Sequence, residues 1–137
     1  VWTALFVAGI FWFTPVNRWP TDFSKELFPL AMVHRHAEEL ARARVFTPDQ
    51  WADYLIYVNY PRQRVFIDGR SDYYGEEIGK AYLAIVEGRP KWRELFHQYS
   101  FDTVLCPPDL ALVSLLKVSP EWRLVDQDKD SVLFVKN

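Results

Sequence analysis

Residues 66–75 read Phe66-Ile67-Asp68-Gly69-Arg70-Ser71-Asp72-Tyr73-Tyr74-Gly75. They gather two carboxylates, one guanidinium, two phenols and two glycines within ten positions. Arg70 could clamp a phosphate or carboxylate with its planar fork. Asp68 and Asp72 could hold a divalent cation through oxygen ligands. Gly69 would let the chain turn sharply. A structural reading competes with these. Arg70 would pair with Asp68, Asp72 or Asp53 and hold the loop, with Tyr73 and Tyr74 covering the pair.

No second motif completes a catalytic set. Glycine patterns for hydride cofactors and for phosphate loops are both absent. Asp68 heads no aspartyl-nucleophile pattern, because Arg70 stands two residues on. Nothing resembles a nucleophile elbow. His34 and His36 are two apart and point to different helix faces, whereas helical metal ligands usually sit three or four apart. His97 reads as a surface or boundary residue of an amphipathic helix. Cys106 precedes two prolines with no histidine nearby in sequence, which suits a buried, inert thiol. Catalytic residues are therefore unassigned, and neither a cofactor nor a metal site is expected.

The elements that must position this loop alternate between helix and strand. Pro29 opens a helix that should end near Arg42, with Asp22 and Ser24 as cap candidates. Val45-Phe46 is a short strand. Thr47 should cap the next helix, with Pro48 at its first position, and Pro61 should stop it. Trp51, Tyr54, Leu55 and Val58 form its apolar face. Arg64-Val65-Phe66-Ile67-Asp68 reads as a buried central strand with Asp68 at its carboxyl end, where open α/β sheets bind ligands. A helix follows from about Glu76 to Glu87, with Ile78, Tyr82, Ile85 and Val86 inward and Gly88 as terminator. Pro90 starts another, through Trp92, Leu95, Phe96 and Tyr99. Thr103–Cys106 is a strand, and Asp109 should cap a helix from Leu110 to Val118. Trp122–Val125 and Ser131–Val135 should close an antiparallel hairpin. The tryptophans at 51, 92 and 122 face the core. The expected fold is α/β: a three-layer sandwich with a mostly parallel central sheet and a C-terminal antiparallel hairpin.

Composition narrows the function classes. Half of the 137 residues are hydrophobic and 25% are charged, which excludes intrinsic disorder. The net charge of −2 leaves no basic excess for a phosphate backbone, so no nucleic-acid partner is expected. One cysteine excludes an internal disulfide and a cysteine-based zinc site.

Val1–Phe13 is apolar apart from Thr3 and Gly9. It is shorter than the ~20 residues that cross a bilayer, and it reads as the end of a transmembrane helix, with a buried strand or helix of the domain's own core as the alternative. Trp12 and Trp19 would suit the membrane–water interface. The expected division is an apolar segment at 1–20 and one α/β domain at 21–137. Left exposed, Val1–Phe13 would promote self-association.

Several stretches together carry a resemblance: Phe28-Pro29, Arg44-Val45-Phe46, Trp51 with Tyr54-Leu55-Ile56-Tyr57, Tyr60-Pro61, Val65 through Gly75, and Tyr82, Gly88, Trp92 and Leu95. The terminal Trp122-Arg123-Leu124-Val125 with Asp128 and Phe134 completes it. Residues 28–137 resemble the C-terminal soluble domain of bacterial polytopic membrane proteins similar to GT-C class glycosyltransferases, which use lipid-linked sugars. The chain departs at Ala52 and Asp53, where the family often has glycines, and a continuous helix is expected there. The resemblance implies a small extracytoplasmic (periplasmic) α/β domain, membrane-attached, whose partner is the membrane-embedded part of its parent. It implies that the catalytic carboxylate lies in a loop between early spans, so no catalytic residue carries over. The resulting expectation is a non-catalytic accessory domain. The alternative is a small ligand-binding domain or enzyme with an anion or metal site at Asp68–Asp72.

Overall fold

A computed structural model of the chain describes residues 23–137. The segment 1–20, with the readings of Val1–Phe13 as a span end and as a self-association surface, lies outside the described residues, as does the cap candidate Asp22. Among the described residues, no helix is long and apolar enough to cross a membrane.

The elements in chain order are α1 (Leu30–Arg35), α2 (Ala37–Arg42), β1 (Val45–Phe46), α3 (Asp49–Asn59), α4 (Ser71–Val86), α5 (Trp92–Tyr99), β2 (Thr103–Cys106), α6 (Ala111–Lys117), β3 (Trp122–Gln127) and β4 (Val132–Lys136). The fold is α/β with a mixed four-stranded sheet in the order β1-β2-β4-β3. β1 and β2 pair in parallel; β4 pairs antiparallel with both β2 and β3. The C-terminal hairpin forms as expected, but a mostly parallel sheet does not. The reason lies in two placements. Residues 64–68 do not form a central strand: Val65 makes a single parallel bridge to Val45. The hairpin meanwhile inserts β4 directly against β2, so antiparallel pairs outnumber the parallel one.

The β-strand period of two distributes strand residues between two cores. Val104, Cys106, Val132 and Phe134 join one cluster with Ile85 of α4, Trp92 and Phe96 of α5, and Leu112 and Leu116 of α6. Leu105 and Leu133 join the other with Met32 and Val33 of α1, Leu40 of α2, and Trp51, Tyr54 and Leu55 of α3. All of β2 is buried. Phe46 anchors the first cluster, with ring centroids 5.6 Å from Phe96 and 5.4 Å from Phe101. The expected core tryptophans, Trp51, Trp92 and Trp122, are buried. Trp51 Nε1 also donates to the Leu27 carbonyl at 2.8 Å. Val58, expected on the apolar face of α3, is exposed.

The N-terminal helical stretch ends at Arg42 as expected, but it breaks at His36 (φ −115°, ψ 22°). The imidazole Nε2 reaches Asp126 and Nδ1 reaches Glu39, both at 2.9 Å. Arg35 Nε donates to Asp126 at 2.9 Å, and Arg35 Nη2 reaches Asp128 at 3.2 Å. A bulge at Val125 shifts the β3–β4 register between Leu124 and Asp126, the kind of insertion that re-aims neighbouring side chains. Burial disfavours the charged His36 ring, but its bonds to Asp126 and Glu39 prevail and raise its pKa.

Helix starts differ slightly from expectation. α3 begins at Asp49 behind Pro48, and α6 begins at Ala111 behind Leu110, with no side-chain cap bond at either. Thr47 and Asp109 therefore do not cap. The Thr47 hydroxyl is buried without a hydrogen-bond partner among the described residues. At α4, a short turn from Ser71 precedes Gly75, whose φ of 78° breaks the helical path before residues 76–86 continue it. Gly88 terminates the helix region at φ 63°, and a Cβ there would lie 2.7 Å from Leu115 Cδ1.

Phe46 packs among four aromatic rings, so Phe46→Ala should cost ~3–5 kcal/mol. Urea unfolding measures this, and a loss below ~1 kcal/mol would show that the rings around it repack freely.

Candidate functional site

The 66–75 segment leaves the sheet one residue after the bridge at Val65, and its polar groups turn on one another. Asp68 is the fixed point. Its side chain is 2% exposed, whereas that of Arg70 is 71% exposed. Arg70 Nη2 donates to Asp68 Oδ2 at 2.6 Å, and Nε reaches Oδ1 and Oδ2 at 3.1 and 3.2 Å. The Arg70 backbone N–H also donates to Asp68 Oδ1 at 3.0 Å, the local turn that Asp side chains favour. These Arg70 side-chain bonds are the main reason the Asp68 carboxyl sits at about 2, well below its ordinary value. Burial opposes that shift, and the Arg70 N–H and Tyr74 side chain reinforce it. Arg70 is raised in turn, chiefly by Asp68. Burial, followed by Asp68, raises the Tyr74 phenol.

Gly69 serves a different purpose from the expected sharp turn. Its φ is not positive. Instead, a Cβ there would meet Asp53 Oδ2 at 2.6 Å. The absence of a side chain lets the Gly69 N–H approach the Asp53 carboxylate, at 3.3 and 3.4 Å from its two oxygens. Asp53 stands on a continuous α3, so the expectation of an unbroken helix at Ala52-Asp53 holds.

The remaining candidates stand outside this knot. Tyr73 is exposed. Its ring faces the Arg70 guanidinium at 5.7 Å and meets Tyr74 edge-on at 5.6 Å, a weak cation–π contact at an exposed site. Asp72 is exposed and in no ion pair among the described residues. The structure thus brings Asp68, Arg70 and Tyr74 together, with Tyr73 beside them, and leaves Asp72 aside. No group of three or more His, Cys, Asp or Glu among the described residues is arranged to hold a metal ion.

Other candidates separate by burial. Cys106 is fully buried, and desolvation pushes its thiol up to about 12. His34 is exposed, and His97 lies 3.2 Å from Glu121 at the surface. His36 is engaged by two carboxylates, as described above.

One polar feature escaped the reading of motifs. A cavity of about 620 Å³ is lined by Arg42, Arg44, Arg62 and Arg64. Its signal was the repeated Arg-x-Arg spacing, Arg42-Ala43-Arg44 and Arg62-Gln63-Arg64.

Comparison with family models, curated proteins and solved structures finds no match. The site therefore rests on its own chemistry.

Two outcomes follow from the geometry. A carboxyl held below its unfolded value contributes stability that is complete above ~pH 3.9 and is lost as pH falls toward the folded value. Asp68→Asn should therefore lower stability by roughly 1–2 kcal/mol at pH 7, discounted for the exposed partner, and should soften the loss between pH 4 and the Asp68 value of about 2. Unchanged urea midpoints at both ends of that range would refute the latch. Cys106 should react with a thiol reagent only on unfolding, and rapid labelling of the native chain would contradict its burial.

Proposed function

We propose that the chain is a non-catalytic extracytoplasmic domain of a multi-span membrane protein similar to lipid-linked-sugar-dependent glycosyltransferases. The observation that carries this reading is the closure of the 66–75 segment on itself. Both Asp68 oxygens receive Arg70, and the Asp53 carboxylate receives the Gly69 N–H. A general base needs a free carboxylate within reach of its proton, and Asp68 is held as an ion by its neighbour. The loop does more as a fastening than as a reagent.

Two further observations support the reading. The apolar run Val1–Phe13 suits attachment to a membrane-embedded part of the same protein. Tyr57 and Tyr60, at the end of α3, are both largely exposed. Aromatic rings of this kind favour protein contacts and membrane–water interfaces. Distribution of alternate strand residues between two helix-covered clusters supports a three-layer arrangement, with the sheet between helical layers. The alternative of an anion site at the same loop draws only on the exposure of Arg70. The guanidinium there is already neutralised by Asp68, and Asp53 and Asp72 stand close by in the same segment or against it.

Reporter fusions after Asn137 in the full encoded protein test the proposal. Alkaline phosphatase, active only after export, should be active and membrane-bound, and a green fluorescent protein fusion should be dark. The reverse pattern, or a fusion protein that fractionates as soluble, would overturn the proposal.

A further inference from the structure

The cavity lined by the two Arg-x-Arg pairs lies at the opposite end of residues 64–68 from Asp68. The parallel bridge between Val45 and Val65 sets its register. That bridge brings the two stretches together, and Arg42, Arg44, Arg62 and Arg64 all line the one cavity, with Glu38 bonding both Arg42 and Arg62. The pairs are 20 residues apart in sequence and adjacent in space.

The four guanidiniums are not equally engaged. Glu38 holds Arg62 through two bonds, at 3.0 and 3.1 Å, and takes Arg42 at 3.3 Å. Arg44 and Arg64 form no ion pair among the described residues, and both are exposed. Asp102, the acid next to Arg44, points its Oδ1 at the Arg44 backbone N–H (3.0 Å) and the Thr103 hydroxyl (2.9 Å). Among the described residues, no acidic residue lines the cavity. In a chain of net charge −2, this is a concentrated positive site.

The cavity is also aromatic. Phe66, Tyr99 and Phe101 line it, with Phe66 centroids 4.5 Å from Tyr99 and 5.1 Å from Phe101. A cavity of about 620 Å³ suits a small ligand, a class for which pockets of ~300–1,000 Å³ are usual. The planar guanidinium forks match phosphate oxygens, and the rings match an apolar or planar substituent.

We propose that this cavity binds a phosphate or diphosphate ester, with Arg44 and Arg64 as the anion clamp and the Phe66–Tyr99–Phe101 wall against the esterified group. Arg42 and Arg62 are held in place by Glu38 and complete the positive rim. The site is independent of the accessory-domain reading and of the Asp68 latch. The phosphate could be free in solution or carried on a lipid headgroup, and the two sources are separable.

Two measurements on the 137-residue chain test the proposal. Calorimetric titration with ADP and with inorganic pyrophosphate probes the free ester. Flotation with phosphatidylcholine vesicles, with and without phosphatidic acid, probes the headgroup. Wild type should bind ADP more tightly than pyrophosphate, or float to a greater extent with phosphatidic acid than with phosphatidylcholine alone. Arg44→Gln/Arg64→Gln should weaken whichever binding occurs by at least ~10-fold, with an unchanged circular dichroism spectrum. Arg64→Gln alone provides the same test should the double variant misfold. Arg89→Gln, at a surface pair with Glu87 outside the cavity, should bind as wild type. ADP binding assigns a soluble ester, and phosphatidic-acid-dependent flotation assigns a lipid headgroup. Absence of both, or equal binding by the arginine variants, would overturn the site.

Discussion

The 64–68 segment meets the sheet through one bridge, Val65 to Val45. A strand in mid-sheet is held by a ladder of backbone bonds on each side; this one is not. What a ladder would supply is replaced by side chains. Downstream, Ile67 and Asp68 are buried, with Arg70 folded back on Asp68 and Asp53 on the Gly69 N–H. Upstream, the Gln63 side chain donates to the Arg64 carbonyl and accepts from Asn59, both polar groups being buried in the process. Phe66 in between packs on Tyr99 and Phe101. Side-chain polar contacts therefore flank this weakly paired segment at both ends, where backbone pairing runs short.

The ion pair at Asp68 illustrates a general balance. Burying a carboxylate is costly unless it is paired and hydrogen-bonded. Here the carboxylate is buried and the guanidinium is not, so the desolvation cost falls mainly on one partner. The guanidinium keeps much of its hydration while it donates to both oxygens. Asp126 shows a second version at the domain surface, with Arg35 and His36 both converging on it. That network ties α1 and the start of α2 to the bulged hairpin and interrupts the helix between them. Both networks fix the placement of elements more than they add to total stability.

Short apolar runs were legible in the sequence. Val45-Phe46, Thr103–Cys106 and the C-terminal hairpin stand where hydrophobic pattern and turn residues put them, and Trp51 and Trp92 follow helical periodicity while Trp122 opens β3. The same signal misled at 64–68, because burial and pairing are different properties: an apolar run reports that a segment is inside, not how many neighbours it bonds. The break at His36 was hidden because its cause, Asp126, lies 90 positions away. At the candidate loop, a pairing of Arg70 with Asp68, Asp72 or Asp53 was legible, but not which of the three it would be. The role of Gly69 was not, since the steric limit comes from Asp53 on another element. The arginine cavity depended on a register between residues 45 and 65 that no local pattern encodes.

Charge placement decides between the two polar ends of this segment as sites for an anion. Around Asp68 one guanidinium faces a buried carboxylate that it already neutralises, with Asp53 against Gly69 and Asp72 a few residues on. An incoming anion would have to displace Asp68, leaving a buried charge unpaired, and would do so in an acidic neighbourhood. At the other end Glu38 offsets part of a four-arginine rim, and Arg44 and Arg64 face the cavity without carboxylates. An anion at Arg44 and Arg64 would break no ion pair found among the described residues. The loop that holds the most chemistry by composition is thus the one whose charges are already satisfied. The capacity to bind lies where the sequence shows only repeated arginines, because Arg44 and Arg64 line one cavity with no ion pair among the described residues.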